Sequence, residues 1–125
     1  MNTFVWIDLG VKDLDRAVGF YQKVLNCSLS VEQYENFRFA VFDHQANDVA
    51  GCLVPQTNFT PLSESTLIYF NVDGRLIEAT EQVAQHGGKV IHPPHSIGPH
   101  GARAIVLDSE GNTIALHASQ PIHDA

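Results

Sequence analysis

A pattern of one strand, one helix and three strands occurs twice along this 125-residue chain, and this repeat restricts the folds open to it. Residues 3–11 alternate apolar and mixed positions as a strand does. Asp13 then stands where the N-cap of an amphipathic helix is expected. Three short strands are predicted next, at 28–35, 37–43 and 48–55. The polar segment 56–64 contains Pro61 and is typical of a connector.

The second half repeats this order. Residues 67–72 predict a strand, Asp73 predicts the cap of a second helix, and the pair Gly87–Gly88 predicts the end of that helix. Three more strands are predicted in the segments KVIH, ARAIVLD and NTIALHA, with a turn at 109–112.

The two halves match at a nearly constant offset of 61 or 62 residues. The matched pairs are Val11 with Val72, Leu14 with Leu76, and Ala17 with Ala79. Such self-similarity indicates a duplicated supersecondary unit. We therefore predict one domain over 1–125 with an α+β fold. Its parts are a first module at about 1–55, a connector at 56–64, a second module at about 65–119 and a short tail at 120–125.

Side-chain alternation separates the two faces of each predicted sheet. One face is uniformly apolar and is expected to pack against the helices. Its members are Val5, Ile7, Leu9 and Val11, then Ile68, Phe70 and Val72, then Ala104 and Val106, and finally Ile114 and Leu116.

The opposite face is mixed. It contains Trp6, Asp8 and Gly10, then Leu67, Tyr69 and Asn71, then Arg103 and Ile105, and finally Thr113, Ala115 and His117. Burying the polar members in a plain core would be costly, whereas an apolar surface with a few polar groups is typical of a ligand cavity. The alternative is a face covered by a dimer partner.

Composition excludes several classes of partner. The formal charge of −7 argues against nucleic acid, which needs a basic surface, and no apolar stretch approaches the roughly 20 residues of a membrane span. No signal peptide is visible, so a cytoplasmic location is expected. Cys27 and Cys52 are accordingly predicted to be free thiols.

Three strings carry a family resemblance: DLDRAVGFYQKVLNC, NVDGRLIEATEQVAQHGGKV and LDSEGNTIALHAS. With them the chain resembles the vicinal oxygen chelate superfamily, which includes glyoxalase I, bleomycin-resistance proteins and extradiol dioxygenases. The segment from Gly87 to His117 is typical of small, glyoxalase-related members. The resemblance implies two βαβββ modules forming a cupped mixed or antiparallel sheet. It also implies a homodimer, with cavities where modules of the two subunits meet.

The resemblance further implies four metal-ligand positions, which fall here on Trp6, on the Ala50–Cys52 stretch with Gly51 favoured, on Leu67 and on Ala115. None of these four favoured residues offers the imidazole, thiolate or carboxylate that a divalent metal needs. Cys52 is the only nearby donor, and strand parity predicts that it points to the helix side. We therefore predict no metal site and no cofactor.

Other polar groups have two interpretations each. His117 is a candidate general acid or base, or a hydrogen-bonded histidine at the end of the sheet. Asp8 and Arg103 are expected to pair with each other, or one of them anchors the charge of a ligand. Three more histidines are predicted to lie in a Pro- and Gly-rich loop: His92, His95 and His100. We expect this loop to be solvated; the alternative is that His92 or His95 overhangs the pocket mouth.

Three functions are compatible with these patterns. The first is metal-independent capture or sensing of a small amphipathic or aromatic ligand. Its predicted contacts are Trp6, Leu67 and Tyr69, with Asp8, Asn71, Arg103 and His117 providing polarity. The second is a glyoxalase-type lyase or isomerase that uses His117 and Asp8 or an unforeseen metal site. The third is a structural dimer with a vestigial cup.

Overall fold

The computed structural model describes residues 2–122, within which eight strands and two α-helices form two similar halves. The first half consists of β1 (Trp6–Val11), α1 (Leu14–Leu25), β2 (Leu29–Tyr34), β3 (Phe37–Phe42) and β4 (Ala50–Pro55). The second consists of β5 (Ile68–Asn71), α2 (Leu76–Gln85), β6 (Lys89–Ser96), β7 (Ala102–Leu107) and β8 (Thr113–Ala118). A single 3₁₀ turn, Gly98–His100, precedes β7. Residues 123–125 of the predicted tail lie outside the described part.

The strands form two four-stranded sheets with the same topology, β1-β4-β3-β2 and β5-β8-β7-β6. In each sheet the first strand pairs in parallel with the last one, and the other pairs are antiparallel. The predicted α+β fold of two βαβββ modules is therefore confirmed. Across residues 2–122 no strand pairing joins the two sheets, so β1 and β5 each keep one unpaired edge.

Both modules contribute to one hydrophobic core. Leu14 and Leu76 each begin a helix and are buried, as the repeat predicts. Aromatic rings connect the modules, because Phe70 of β5 lies 5.3 Å from Tyr21 and 5.9 Å from Phe42, measured between ring centres. The modules are thus joined by side-chain packing between helices and sheets.

Of the three helix ends predicted from the sequence, two agree with the structure. Asp13 caps α1, since its carboxylate accepts a hydrogen bond from the Arg16 amide at 3.1 Å. α2 ends before Gly87, whose φ of 94° suits glycine. The predicted cap by Asp73 is wrong: α2 begins two residues further on, after Arg75, and Asp73 instead accepts a hydrogen bond from the Ser119 amide.

The prediction of a loop over His92 and His95 is also wrong. Both residues lie in β6, which runs to Ser96 and pairs with β7 through two register shifts. Proline is tolerated in an edge strand or at a bulge, where its missing N–H leaves no ladder bond unmade. Pro93 and Pro94 occupy such a position, so they do not end the strand.

The helix-facing apolar rows are buried or partly buried as predicted, except at the start of the row on β1. Leu9 and Val11 are 4% and 0% exposed, but Val5 is 70% exposed and Ile7 is 36% exposed. The helix layer therefore covers only the second half of β1. Val5 precedes this edge strand, and its predicted burial is wrong because no element lies over it.

The turn between β7 and β8 binds the first module through a buried polar network. The Glu110 carboxylate accepts hydrogen bonds from the Lys12 and Asp13 amides at 3.0 and 2.7 Å, and from the Arg16 guanidinium at 2.7 Å. Burial alone would raise the pKa of Glu110, but the hydrogen bonds from Arg16, the Asp13 amide and Ser109 outweigh it and lower the pKa to about 2. Glu110 is therefore ionised at neutral pH.

Asp108 and Asn112 complete this network. The Tyr21 hydroxyl donates to Asp108 at 2.5 Å, and the Asn112 side chain donates to the Gly10 carbonyl at 2.9 Å. Burial and the nearby Asp108 carboxylate raise the pKa of Tyr21 well above its ordinary value, so it remains a donor. The turn predicted at 109–112 is present, and its polar residues hold the modules together.

Neither α1 nor α2, the α-helices found between residues 2 and 122, has the length and apolarity to cross a membrane.

Candidate functional site

The mixed face of the first sheet has an indole, a carboxylate and a thiol in contact. Trp6 Nε1 donates to Asp8 Oδ1 at 2.9 Å, and Cys52 Sγ donates to the same oxygen at 3.2 Å. The prediction that Cys52 points to the helix side is wrong. Leu53 pairs with Ala40 in the core, and because neighbouring side chains alternate, Cys52 must face the other way.

Cys52 is a protonated thiol at neutral pH. Burial, together with the Asp8 carboxylate, raises its pKa to about 11. A thiol with a raised pKa is a weak nucleophile and a poor metal ligand. Cys52 therefore acts as a hydrogen-bond donor to Asp8, and both cysteines are free, as predicted.

A groove of about 600 Å³ opens beside Trp6 and is lined by Val5, His44 and Ala50, among others. The His44 ring meets the Trp6 ring edge to face, with centres 5.9 Å apart. Sequence reasoning did not single out His44. It lies just beyond β3. Apolar residues occur on both faces of that strand, so the sequence pattern does not show which face each side chain occupies.

The mixed face of the second sheet brings Tyr69, Arg103 and His117 together. Arg103 and His117 are paired across β7 and β8. An Arg103 Nη nitrogen donates to the Tyr69 hydroxyl, and the guanidinium carbon lies 5.8 Å from the centre of the Tyr69 ring. The His117 ring meets the same ring edge to face at 5.8 Å. Three residues predicted from the sequence thus form one cluster.

Two histidines are oriented by backbone carbonyls. His117 Nε2 lies 2.7 Å from the His100 carbonyl, and His95 Nδ1 lies 2.8 Å from the Pro93 carbonyl. A carbonyl only accepts, so each of these nitrogens carries a proton. His95 Nε2 then accepts from Arg103 Nε at 3.3 Å, which requires His95 to be neutral.

Asn71 and Leu67 border this cluster. The Asn71 side-chain oxygen accepts a hydrogen bond from the Asp73 amide at 2.9 Å, and Asn71 is paired with His117 across β5 and β8. Leu67 is half-buried immediately before β5. The hydrogen bonds from Ser119, with a smaller effect of His117, lower the pKa of Asp73.

The structure does not pair Asp8 with Arg103, because Asp8 contacts Trp6 and Cys52 on one sheet and Arg103 contacts Tyr69 and His95 on the other. The predicted pairing is therefore wrong. Of the seven predicted contact residues, Trp6 lines the groove described above. Tyr69 and Asn71 line a separate cleft of about 380 Å³ between β1 and β5, together with Ile7 and Cys52.

The residues present do not fit the metal site implied by the resemblance. On β4, Ala50 pairs with Trp6 and Cys52 pairs with Asp8, whereas Gly51 pairs with Ile7. Within the predicted Ala50–Cys52 stretch, Ala50 and Cys52 therefore share the face of Trp6 and Asp8, and Gly51 does not. Within residues 2–122 no three His, Cys, Asp or Glu side chains converge to hold a metal ion.

Comparison with known proteins gives a family match. The model of the Glyoxalase/Bleomycin resistance protein/Dioxygenase superfamily matches residues 3–116. No curated protein matches the sequence.

Solved structures show the same fold at low identity. A glyoxalase-related enzyme from Fulvimarina pelagi is 17% identical, with a TM-score of 0.73 and full coverage of both chains. The fosfomycin resistance protein FosX from Listeria monocytogenes is 19% identical, with a TM-score of 0.68 over 94% of this chain and 93% of the other. A glyoxalase I variant from Zea mays is 21% identical, with a TM-score of 0.71. That match covers 92% of this chain and 46% of the maize chain.

Proposed function

The chain belongs to the Glyoxalase/Bleomycin resistance protein/Dioxygenase superfamily, and on this premise we propose that it binds a small amphipathic or aromatic molecule without a metal. The observation that carries the proposal is the exposure of two aromatic rings on the faces opposite the helices. Trp6 is 46% exposed and Tyr69 is 45% exposed. Each ring is positioned by a polar side chain, Asp8 or Arg103, so both are preorganised for contact.

These rings suit stacking against a flat apolar ligand. An aromatic pair contributes about 0.5–1.5 kcal/mol beyond the area it buries, and a ring held by a hydrogen bond loses little freedom on binding. The groove beside Trp6 and the cleft beside Tyr69 have volumes of about 600 and 380 Å³. Both are in the range of small-molecule sites.

The donor set supports the proposal that binding needs no metal. At the positions where the resemblance implies ligands, this chain has indole, methyl and isobutyl groups and a protonated thiol, none of which coordinates a hard or borderline divalent cation well. Recognition must then rest on stacking and hydrogen bonds. The name of FosX refers to resistance to fosfomycin, itself a small molecule, which agrees with a small-molecule ligand here.

We also propose that the protein is a homodimer formed through the edge of β1. Among the described residues, no strand lies beside this edge. Phe4 and Val5 next to it are 78% and 70% exposed. An unpaired edge with adjoining exposed apolar side chains favours association with a second chain. A second copy here would cover the groove beside Trp6.

The enzyme alternative has less support from the geometry. Asp8 and His117 lie on different sheets, and Asp8 already accepts two hydrogen bonds, from Trp6 and Cys52. A general acid and base must both reach the same substrate. The chain alone does not bring them together, so turnover would need a second subunit or an added metal.

Ligand binding is testable through the single tryptophan of the chain. Metal-free protein is titrated with a panel of aromatic and amphipathic molecules, following Trp6 fluorescence and confirming hits by calorimetry. We expect binding that is unchanged by a chelator, and a loss of about 2- to 10-fold in affinity in Tyr69→Ala. Tyr34→Ala is the matched control, because Tyr34 is exposed on an outer strand of the first sheet.

Two results would contradict the proposal. Stoichiometric zinc or nickel in untagged protein, with a large thermal stabilisation by that ion, would support the lyase or isomerase. No response across the panel, together with mixed faces filled by a partner subunit, would support a structural dimer.

A further inference from the structure

We propose that Arg103 binds an oxyanion of the ligand, a carboxylate or a phosphate group, so that the molecule recognised on the second sheet is an aromatic or amphipathic acid. This inference rests on the proposed function and adds the charge of the ligand to it. The observation behind it is an oriented guanidinium whose partners are both neutral.

The guanidinium is held from two sides. Its Nε donates to the lone pair of neutral His95, and one Nη donates to the Tyr69 hydroxyl. Within residues 2–122 its other Nη makes no hydrogen bond, so one nitrogen of the planar guanidinium fork is held in place and free to donate. An N–H of this permanently charged group is a strong donor to a carboxylate or phosphate oxygen.

No carboxylate compensates this charge in the described part of the chain, although the protein has a net charge of −7. Arg16 and Arg38, by contrast, pair with Glu110 and Asp15. A half-buried cation without a counterion should bind an incoming anion more strongly than a paired cation does. The reason is that no existing ion pair has to be broken or weakened first.

Tyr69 supplies a second donor. Its hydroxyl oxygen accepts from Arg103, so its own proton is available to donate to an oxyanion next to the guanidinium. The Tyr69 ring can at the same time stack on the apolar part of the ligand. One side chain would then contact both halves of an amphipathic acid.

The test compares three probes that share one ring system: naphthyl phosphate, naphthoate and neutral naphthalenemethanol. Affinities are measured by calorimetry for the wild type and three variants, after thermal unfolding confirms that each variant folds. We expect Arg103→Gln to weaken both anions by about 10- to 100-fold and naphthalenemethanol by less than about 2-fold. Arg103→Lys keeps the charge but not the planar fork. Its affinity for the two anions is expected to lie between those of the wild type and Arg103→Gln.

Arg38→Gln is the control, since it removes the same charge from an exposed ion pair elsewhere. It should leave all three affinities unchanged. The ratio of naphthyl phosphate to naphthoate affinity identifies the oxyanion. Equal losses for the neutral and charged probes in Arg103→Gln would overturn the inference, because they would indicate a purely structural role.

Titration with inorganic phosphate and acetate separates the two proposals. Nitrogen-edited NMR of the Arg103 Nε–H reports on the anion site without any aromatic contact. If the ions shift this signal while no naphthyl probe binds, the proposed function fails and the anion site stands. Suppose instead that phosphate and acetate leave the signal unchanged to high concentration, and that naphthalenemethanol binds as tightly as the two naphthyl anions. The oxyanion inference then fails, and the proposed function stands.

Discussion

The residues with the strongest structural role are the acids of the turn between β7 and β8. The side chain of Glu110 is fully buried and accepts hydrogen bonds from a half-exposed Arg16 and from two amides at the start of α1. A carboxylate so surrounded stabilises the contact between modules only while it is ionised.

We predict that Glu110→Gln lowers the free energy of unfolding by about 1–3 kcal/mol, because a neutral amide replaces a charge-assisted acceptor and turns an N–H towards Arg16. Urea unfolding at neutral pH measures this loss. Asp15→Asn is the control: it breaks the exposed pair with Arg38 and should cost less than about 1 kcal/mol. Equal costs in the two variants would contradict the assigned role of Glu110.

The same carboxylate predicts a pH dependence. Because the pKa of Glu110 is lowered from 4.5 to about 2 in the folded state, the unfolded chain binds more protons between these values, and stability rises with pH there. The difference in free energy of unfolding between wild type and Glu110→Gln should therefore be largest above pH 4.5, the ordinary pKa. It should shrink as the pH falls towards 2. A difference that grows on acidification would show that another group dominates.

Among the elements, the two helices begin differently although they are equivalent in the repeat. α1 has a side-chain cap from Asp13, and α2 has none. Gly74, with a φ of 75°, intervenes before α2 and displaces Asp73 from the capping position.

We predict that Asp13→Ala costs about 1 kcal/mol of stability, because the Arg16 amide loses its acceptor. Asp13→Ser should restore most of this loss, since a serine hydroxyl also caps. Urea unfolding of the two variants is the measurement. A serine variant no more stable than the alanine variant would indicate that Asp13 acts through its charge rather than as a cap.

Two glycines give opposite predictions. Gly19 lies in α1 with open space around it, so Gly19→Ala should raise the free energy of unfolding by about 0.5–1 kcal/mol.

Gly101 has a φ of 97°, and a Cβ there would overlap the backbone at Ala118 and Ser119. Gly101→Ala should therefore destabilise by more than about 2 kcal/mol. Thermal unfolding compares both with the wild type, and a neutral Gly101→Ala would contradict the tight packing of β7 on β8.

At the scale of the whole molecule, two similar sheets share a core, and within residues 2–122 one edge of β1 and one edge of β5 stay unpaired at the cleft between them. Under the proposed function, a single chain presents two half-sites, one around Trp6 and one around Tyr69. Association of two chains would complete the cup that each face begins.

We predict a dimer of twice the 13.7 kDa chain mass in light scattering coupled to size exclusion. Val5→Lys should shift it towards monomer, because a charge would be buried at the β1 edge. Ile77→Lys is the control, since Ile77 is also exposed but lies on α2. A monomeric wild type, or equal effects of both variants, would contradict association through β1.

The element order and the repeat follow from the sequence alone, because alternation, helical spacing and the Asp13 and Gly87 signals are local. The pairs Leu14 and Leu76, and Val11 and Val72, occupy equivalent places as predicted. The family resemblance is likewise evident from the sequence. The sequence also predicts that Tyr69, Arg103 and His117 share the mixed face, since parity within β5, β7 and β8 is unambiguous.

Only the tertiary structure decided which groups meet across elements. Cys52 turned out to face Asp8, His95 to hold Arg103, and Val5 to lie uncovered. Strand pairing, bulges and the extent of the helix layer control these contacts, and none of them is encoded within a short window of sequence. For the same reason Asp8 and Arg103 shared a face in the pattern but lie on separate sheets in space.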